Sequence, residues 1–503
     1  MQTVVETSCG LLEGTDQDTH LTFRGIPYAQ PPIEEFRFLP PQPAMPWTGT
    51  RSAATFGPAS PQSKDALKIR GLGRCDEDCL YLNVTTPALD EQKRPVLFWI
   101  HGGGFTAGAG SAPSLSGAPL STRGNVVVVT INYRLGALGY LHLGGHAGST
   151  WGAAANVGQL DQIAALQWVN DNIGYFGGDP SNVTIFGESA GAAAVATLLA
   201  MPKAKGLYQR AIMQSGTANY LQSPETASRI VDVLLKKLAI NPAEAKKLQA
   251  VPFEKLIQLQ ESVAREAADP RQKLSPSYFP VIEGNTVPTN PLQAIKQGVA
   301  EEIPIIVGSN RDEQKLFRRL GEIDDDKLLS IVAKTLPPRA RADAGAMIET
   351  YRVQRAERSE PNDNAEIASA IQTDARFRMP AIRLLEAQRE HNRQSYGYLF
   401  CFQSTTKPAM GACHALEIPF VFGNLDAAGL VRELIEDSTN EKTLSAHMMD
   451  AWIAFAHTGN PGHAGIGEWL PYDGSDRATM LFDTSSGMVH SPFDRERLAW
   501  PGD

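Results

Sequence analysis

The sequence lacks the features that mark membrane, secreted and nucleic-acid-binding proteins. No run approaches ~18 consecutive apolar residues, so no transmembrane helix is expected. The first residues, MQTVVETSCGLLEG, contain no basic segment followed by an apolar one, so no secretory leader is expected. Dense runs of Lys or Arg are missing and the net charge is -9, so a nucleic-acid partner is not expected.

Cysteine is scarce and its number is odd. The spacing of the five residues resembles no metal site, and the odd number favours mostly reduced thiols and a cytoplasmic location. Cys75 and Cys79 are close enough to suggest a disulfide or half of a metal site, but further metal ligands are missing near them. We therefore expect no metal. The cysteines are Cys9, Cys75, Cys79, Cys401 and Cys413.

The composition is that of a globular protein, with 42% hydrophobic and 20% charged residues in 503. Buried runs such as Asn125–Asn132 alternate with helical periodicity, as in Asn156–Ile173, which predicts an α/β protein with a mostly parallel sheet. Two charged, helix-rich segments, about 222–270 and 322–395, interrupt this alternation. We interpret them as helical insertions over the sheet within a single domain spanning residues 1–503.

One stretch has the spacing of a nucleophile elbow. The β-branched run Val183–Phe186 leads into Gly187-Glu188-Ser189-Ala190-Gly191, and an alanine-rich helical run follows. A strand, G-x-S-x-G and a helix in this order hold a serine hydroxyl clear of a sheet, as α/β-hydrolases require. The alternative is a tight glycine turn with an ordinary exposed serine.

A second glycine motif precedes the elbow. After the predicted strand Val96–Ile100 comes His101-Gly102-Gly103-Gly104-Phe105, which is the HGGG-type oxyanion motif. It predicts that the N–H groups of Gly103, Gly104 and Ala190 bind a developing oxyanion. His101 is interpreted as structural, and the alternative for the whole motif is a plain flexible loop.

An acid and a histidine follow the elbow in chain order. The predicted strand Ile303–Val307 is followed by Asp312 and Glu313, and either carboxylate could orient a histidine. His414 follows a later predicted strand, Tyr396–Phe402, and could accept the serine proton. The alternative for His414 is a satisfied core histidine.

Several longer motifs occur in the same order along the chain. Together they resemble the type-B carboxylesterases, a family that includes bacterial p-nitrobenzyl-type esterases and cholinesterases. The resemblance covers nearly the whole chain. The motifs are FRGIPYAQPP (23–32), EDCLYLNV (77–84), WIHGGGF (99–105), NYRLGALGYL (132–141), DQIAALQWVNDNIGYFGGDPSNVTIFGESAG (161–191), QSG (214–216), GSNRDE (308–313) and HALEIPFVFG (414–423).

The resemblance implies an α/β-hydrolase fold, with helices on both faces of the sheet and helical insertions over an active-site gorge. It implies a triad of Ser189, Glu313 and His414, choosing Glu313 over Asp312. Ser215 matches a supporting serine beside the triad. The resemblance also implies two buried ion pairs, which join Arg37 to Glu77 and Arg134 to Asp161.

The sequence departs from the family pattern at a few positions. Gln314 and Ala415 replace small glycines beside the acid and the histidine. The usual partner region of Cys79 reads GPASPQ, which favours a reduced thiol. The tryptophan with which cholinesterases hold choline is missing, so a quaternary ammonium substrate is not expected.

The function predicted from residues and resemblance together is a serine carboxylesterase. It would hydrolyse small to medium, mostly uncharged esters through an acyl-enzyme, with no metal or organic cofactor. Phe105, Phe279 and Phe317 are the candidates for pocket lining, with plain core packing as their alternative. Other functions weighed are a carbamate or amide hydrolase, an acyltransferase, and a non-catalytic binding protein. The expected partner is a small ester, and the expected state is a monomer or small homo-oligomer.

Overall fold

A computed structural model describes residues 2–144, 146, 151, 155–268, 278–317, 320–428, 433–436 and 438–502. Within this part of the chain, an eleven-stranded sheet dominates and a three-stranded sheet lies apart from it. The strands are β1 (Val4–Thr7), β2 (Gly10–Glu13), β3 (Thr15–Asp16), β4 (Leu21–Pro27), β5 (Thr50–Ser52), β6 (Tyr81–Thr86), β7 (Arg94–Ile100), β8 (Val127–Ile131), β9 (Gly178–Glu188), β10 (Arg210–Gln214), β11 (Ile305–Asn310), β12 (Ser395–Phe400), β13 (Thr479–Phe482) and β14 (Gly487–Val489).

Helices connect and cover these strands. In chain order they are α1 (Lys64–Ile69), α2 (Ala118–Gly124), α3 (Gly136–Tyr140), α4 (Val157–Asn172), α5 (Ala190–Leu198), α6 (Pro224–Leu238), α7 (Phe253–Ala267), α8 (Pro291–Lys296), α9 (Gln314–Phe317), α10 (Asp325–Thr335), α11 (Ala344–Glu357), α12 (Asn364–Thr373), α13 (Met379–Arg389), α14 (Ile418–Phe422), α15 (Thr439–Thr458) and α16 (Asp494–Leu498). One π-helical turn, Asp374–Arg378, joins α12 to α13.

The main sheet has the order β14-β13-β12-β11-β10-β9-β7-β8-β6-β4-β3. Its central pairs, from β8 through β7 and β9 to β13, are parallel, whereas its outer pairs are antiparallel. The predicted α/β class with a mostly parallel central sheet is therefore confirmed. Parallel strands need covered faces, which is why these segments read as continuous apolar runs.

Side chains of β7 alternate between two hydrophobic cores, one on each face of the sheet. Val96, Phe98 and Ile100 enter one core, while Leu97 and Trp99 enter the other. Burying a large apolar side chain of this kind contributes roughly 1.5–3 kcal/mol to folding. The two cores fix β7 between its neighbours, and this sets the position of the glycine-rich loop that follows it.

Two boundaries differ from the pattern in the sequence. The strand predicted at Ile303–Val307 begins at Ile305 and continues to Asn310, because β12 pairs with it over that whole length. The amphipathic pattern of the sequence predicts a late helix over Met448–His457, whereas the helix observed there, α15, begins at Thr439. A capping box explains the earlier start, since Glu441 accepts from the backbone N–H of Ser438 at 2.8 Å.

Helices fill both segments interpreted as insertions. The first contains α6 and α7, and its residues 269 and 270 lie outside the described part of the chain. The second contains α10 to α13. No helix in the described ranges combines the length and the apolar character needed to cross a bilayer.

The two expected buried ion pairs are present. Nη2 of Arg134 lies 2.6 Å from Oδ1 of Asp161, and Nε of Arg37 donates to Glu77 at 2.7 Å. Removing one member of such a pair leaves a buried charge uncompensated and costs about 3–5 kcal/mol. Both pairs therefore hold the loops around the sheet in place.

Candidate active site

The carboxyl ends of the central strands meet at one edge of the sheet. Strand register places Ile100 of β7 opposite Gly187 of β9, and Glu188 of β9 opposite Gln214 of β10. Gln214 in turn pairs with Gly308 of β11. The loops that follow β7, β9, β10 and β11 are therefore neighbours, and open α/β sheets place their sites at such edges.

Ser189 sits in a strained turn at the centre of this edge. Its backbone has φ 56° and ψ -122°, a conformation that L-residues rarely adopt, and its N–H donates to the carbonyl of Gln214 at 2.8 Å. The turn depends on Gly191, where a Cβ atom would lie 2.0 Å from the carbonyl oxygen of Ile100. Helix α5 begins immediately after Ser189 and directs its positive end at the turn.

The glycine-rich loop after β7 lies against this turn. Gly103 has φ 116°, and a Cβ atom there would lie 2.2 Å from the carbonyl oxygen of Ala107. Within the described residues, the N–H groups of Gly103, Gly104 and Ala190 donate to no acceptor. Three unpaired N–H groups beside a serine leave donors available for a negatively charged oxygen.

His101 contacts the glycine-rich loop and packs against its neighbour Tyr133. Its Nδ1 lies 2.9 Å from the carbonyl oxygen of Gly102, and its ring stacks on Tyr133 with centroids 4.5 Å apart. Burial lowers the pKa of His101 to about 3, so the ring is neutral. This placement agrees with the structural role expected for His101.

His414 is buried between two carboxylates. Its Nδ1 lies 2.6 Å from Oε2 of Glu313, and its Nε2 lies 2.9 Å from Oε1 of Glu188. The other oxygen of Glu313 accepts the backbone N–H of Asn310 at 2.8 Å, which fixes the carboxylate. No hydrogen bond joins Nε2 to Ser189 within the described chain, although both residues line one pocket.

The two carboxylates favour the charged imidazolium. Burial works against protonation of His414, but Glu188 and Glu313 together outweigh it and raise the pKa of His414 to about 10.

A third carboxyl, Glu417, accepts a hydrogen bond from Nδ2 of Asn310 at 2.6 Å. Burial, together with the charges of Glu188 and Glu313, raises the pKa of Glu417 to about 8, so this carboxyl is largely protonated at neutral pH.

Asp312 points away from the histidine. Its carboxylate accepts the backbone N–H of Ala412 at 3.0 Å and lies 3.1 Å from Nη2 of Arg311 and 3.6 Å from Nζ of Lys315. Burial would raise the pKa of Asp312, but the two cations outweigh it and hold that pKa below its usual range. Asp312 therefore anchors the loop that carries His414 and does not contact its ring.

A pocket of about 420 Å³ opens above Ser189 and His414. Phe279 and Phe317 line it, and the ring of Phe317 lies 4.8 Å from that of His414. Phe105 does not line it, because its side chain is fully buried and packs against Tyr140 and Phe279. Other members of the wall are Trp99, Ala109, Ala112, Leu115, Leu316 and Ile418.

Ser215 is fully buried at the end of β10. It has φ 53°, and its N–H donates to the carbonyl of Gly308 at 2.9 Å. Its hydroxyl has no hydrogen-bond partner within the described residues. Ser215 thus lies next to the turn of Ser189, but no contact with His414 is seen.

Reasoning from the sequence missed four residues of the site. Glu188 and Glu417 stand inside quoted motifs, yet nothing local indicates that both surround His414. Asn310 and Arg376, which joins the pocket wall from the π-helical turn, were also missed. No group of three or more His, Cys, Asp or Glu in the described ranges is arranged to hold a metal ion.

The chain is similar to known proteins over nearly its whole length. Residues 1–500 match the profile of the Carboxylesterase family. The chain is 37% identical to the para-nitrobenzyl esterase of Bacillus subtilis (strain 168), over 98% of this chain and 97% of that protein. A solved PNB esterase superposes with a TM-score of 0.88 at 36% identity, covering 100% of both chains. A carboxylesterase of Geobacillus stearothermophilus gives a TM-score of 0.86 at 38% identity, covering 99% of this chain and 100% of that one.

The family profile spans almost the whole chain, and relatives and solved structures match it along nearly their whole length. These matches decide the family of the protein. The eleven-stranded sheet is that of an α/β-hydrolase. The chain belongs to the carboxylesterase family and is a serine hydrolase of carboxylic esters.

Proposed function

We propose that Ser189 is the nucleophile, His414 the general base and Glu313 the residue that orients it. The observation that carries the proposal is the buried 2.6 Å contact between Glu313 and Nδ1 of His414, at the sheet edge where the strained turn presents Ser189. The contact fixes the ring so that Nε2 faces the pocket. Catalytic hydrogen bonds often tighten only when substrate binds, so the proposal includes a small movement in which Nδ1 keeps its contact with Glu313 while Nε2 leaves Glu188 and approaches Ser189.

The reaction follows from these positions. Oγ of Ser189 attacks the ester carbonyl while Nε2 of His414 accepts its proton, and the N–H groups of Gly103, Gly104 and Ala190 bind the oxyanion. The tetrahedral intermediate collapses, His414 gives the proton to the departing alcohol, and Ser189 keeps the acyl group. Water then attacks the acyl-enzyme by the same route and releases the acid. Each oxyanion donor is worth about 2.7–4 kcal/mol of the barrier.

The groups next to the scissile bond are proposed to be small to medium and uncharged, since most of the pocket wall is apolar. Residues 1–503 are treated as one domain whose insertions at about 222–270 and 322–395 form part of the gorge; Arg376 in the pocket wall supports this. A cytoplasmic location and a monomeric or small homo-oligomeric state stay predictions.

Covalent labelling tests the nucleophile directly. Diethyl p-nitrophenyl phosphate should phosphorylate Ser189, because attack of Oγ on phosphorus expels p-nitrophenolate and leaves a stable diethylphosphoryl ester. We expect one p-nitrophenolate released per active chain, complete loss of ester hydrolysis and a mass increase on the peptide that contains Ser189. Mass spectrometry of a digest identifies the modified peptide.

Ser215 provides the matched control, because it is also a serine with positive φ after a neighbouring strand. Ser215→Ala should still be labelled at Ser189, whereas Ser189→Ala should release no stoichiometric p-nitrophenolate. Inactivation that tracks with a modified residue other than Ser189 would contradict the proposed nucleophile.

The pH dependence of hydrolysis tests the role of Glu188. Because a carboxylate near Nε2 stabilises the imidazolium, the acidic limb of kcat/KM should lie above the ordinary histidine range. Glu188→Gln removes that charge, lowers the pKa of His414 and should move the limb to lower pH by about 1–3 units. A pH-stat series with a neutral ester measures the shift.

Glu349→Gln is the control, because it makes the same change of charge on the exposed face of α11. Its profile should overlay that of the unmodified enzyme. An acidic limb that stays in place in Glu188→Gln would show that Glu188 does not govern the protonation of His414.

A further inference from the structure

A second and larger cavity adjoins the Ser189 pocket. It has a volume of about 1030 Å³ and lies between α10, α12 and α13, and we call it the vestibule. Tyr220, Phe279 and Arg376 line both spaces, so they form the border between them. A substrate whose ester group reaches Ser189 can therefore place a remote part in the vestibule.

The vestibule has a charge opposite to that of the whole chain. The chain carries 46 Lys and Arg against 55 Asp and Glu. Among the described residues that line the vestibule, five are basic and none is Asp or Glu. A concave, single-sign surface of this kind raises the local concentration of oppositely charged ligands. The basic residues are Lys327, Lys334, Arg339, Arg376 and Arg383.

Arg376 stands where the vestibule meets the Ser189 pocket, and its contacts are neutral. One Nη donates to Oε1 of Gln314 at 3.0 Å, and the guanidinium lies over the rings of Phe317 and Phe377, at 4.8 and 5.4 Å from their centroids. Its Nε has no hydrogen-bond partner within the described residues. A half-buried cation without a carboxylate partner retains its attraction for an anion.

Two other arginines of this insertion, Arg378 and Arg355, are paired with carboxylates. Arg378, two residues further along the same turn, forms two hydrogen bonds to Asp374, at 2.8 and 2.5 Å. Arg355 of α11 lies 3.2 Å from Glu366 of α12. The insertion therefore pairs arginines that stabilise its own packing, and it leaves Arg376 facing the cavities.

Two further features of the vestibule favour an anionic group: two lysines add positive charge, and a tyrosine offers a hydrogen-bond donor. Lys327 and Lys334 are exposed and lie seven residues apart on α10, which places them on one helix face toward the vestibule. Burial raises the pKa of Tyr220 to about 12, so its hydroxyl keeps its proton at neutral pH. The border thus offers a phenol and a guanidinium, both of which donate hydrogen bonds.

We propose that the preferred substrates are esters that carry a carboxylate remote from the scissile bond, with this carboxylate bound at Arg376 and attracted by Lys327 and Lys334. The proposal rests on the proposed function and names the substrate class of the same site. Groups adjacent to the ester remain uncharged, in keeping with the apolar wall around Ser189. Guanidinium groups bind carboxylates with charge-assisted hydrogen bonds about twice as strong as neutral ones.

Matched pairs of substrates test the proposal. In the first arm, p-nitrophenyl hemiesters of dicarboxylic acids of increasing length are compared with analogues that end in a carboxamide. In the second arm, acetate esters of carboxyl-substituted benzyl alcohols are compared with their carboxamide analogues. The arm with the larger acid-to-amide ratio of kcat/KM identifies the side of the ester that faces the vestibule.

We expect a ratio above one in at least one arm, and it should fall as ionic strength rises. Arg376→Gln should lower it about tenfold or more, mainly through the KM of the acid substrates; tenfold corresponds to one Arg–carboxylate contact of ordinary strength. Because each acid is compared with its own carboxamide analogue, a general loss of activity cancels in the ratio. Lys327→Gln with Lys334→Gln should reduce the salt-dependent part of the ratio. If Arg376→Gln does not fold, the effect of the double lysine variant on the salt-dependent part of the ratio decides the outcome, because both lysines are exposed.

Arg341→Gln is the matched control, since Arg341 is exposed, close in sequence to Arg339, and outside the vestibule lining. It should leave the ratio unchanged. A ratio of one or less in both arms, or a ratio indifferent to Arg376 and to both lysines, overturns the proposal. Hydrolysis of the ester bond in the carboxamide analogues reports separately on the proposed function, because it depends on Ser189 and not on binding of a carboxylate in the vestibule.

Discussion

Ser189→Ala is expected to lower kcat for neutral esters by about a million-fold, the largest effect of any single substitution in this chain. Without Oγ no acyl-enzyme forms, and His414 has no hydroxyl to deprotonate. The N–H groups of Gly103, Gly104 and Ala190 remain in place, so a residual acceleration over water of about 10³–10⁴ should persist. Single-turnover hydrolysis of a p-nitrophenyl ester measures both quantities.

The fold should survive this substitution. The strained turn is fixed by Gly191 against Ile100 and by the hydrogen bond from the N–H of Ser189 to Gln214, and alanine retains that N–H. The melting temperature of Ser189→Ala should match that of the unmodified enzyme, and Ser215→Ala should retain most of its kcat. Substantial multiple turnover by folded Ser189→Ala would rule out the proposed mechanism.

The parts of the site that are contiguous in sequence could be predicted. A strand, a five-residue turn and a helix form the elbow, and three adjacent glycines form the loop, so both are visible as local patterns. Parallel pairing of the central strands then brings the ends of β7, β9 and β11 to one edge of the sheet. Element boundaries were less secure, as the early start of α15 illustrates, because a capping box can extend a helix beyond its apolar pattern.

The surroundings of His414 could not be predicted in the same way. Glu188, Glu313 and Glu417 approach one another only through tertiary packing, and burial together with the charges of Glu188 and Glu313 raises the pKa of Glu417. Phe105 was a pocket candidate, but its side chain is fully buried and packs against Tyr140 and Phe279. The charge of the vestibule likewise depends on which face of α10 is turned inward.

Asp312 and Glu313 show the same limit of prediction from sequence. Both carboxylates follow the same strand and are equivalent in the sequence, but they have different partners in the structure. Glu313 contacts Nδ1 of His414, whereas Asp312 holds the N–H of Ala412 beside Arg311. Only the family resemblance favoured Glu313 beforehand. The geometry therefore predicts that the two isosteric amide substitutions have effects of different kinds.

Glu313→Gln is expected to lower kcat about 10⁴-fold, as loss of the orienting carboxylate does in a serine triad. The N–H of Asn310 donates to one oxygen of Glu313 at 2.8 Å, so a glutamine should keep its carbonyl there and turn its NH₂ group toward His414. An N–H donor at Nδ1 forces the ring proton onto Nε2. In that tautomer His414 cannot accept the proton of Ser189, and the developing imidazolium has lost its partner.

Asp312→Asn is the matched control. Like Glu313→Gln, it replaces a carboxylate by an amide of the same shape, and it removes the charge of the adjacent residue instead. Its amide carbonyl can still accept the N–H of Ala412, so kcat should change by less than about tenfold, while loss of the interaction with Arg311 and Lys315 lowers the stability by about 2 kcal/mol. Steady-state kinetics and urea unfolding of both variants separate the two effects. A larger loss of kcat in Asp312→Asn than in Glu313→Gln would mean that Asp312, and not Glu313, orients His414 during the reaction.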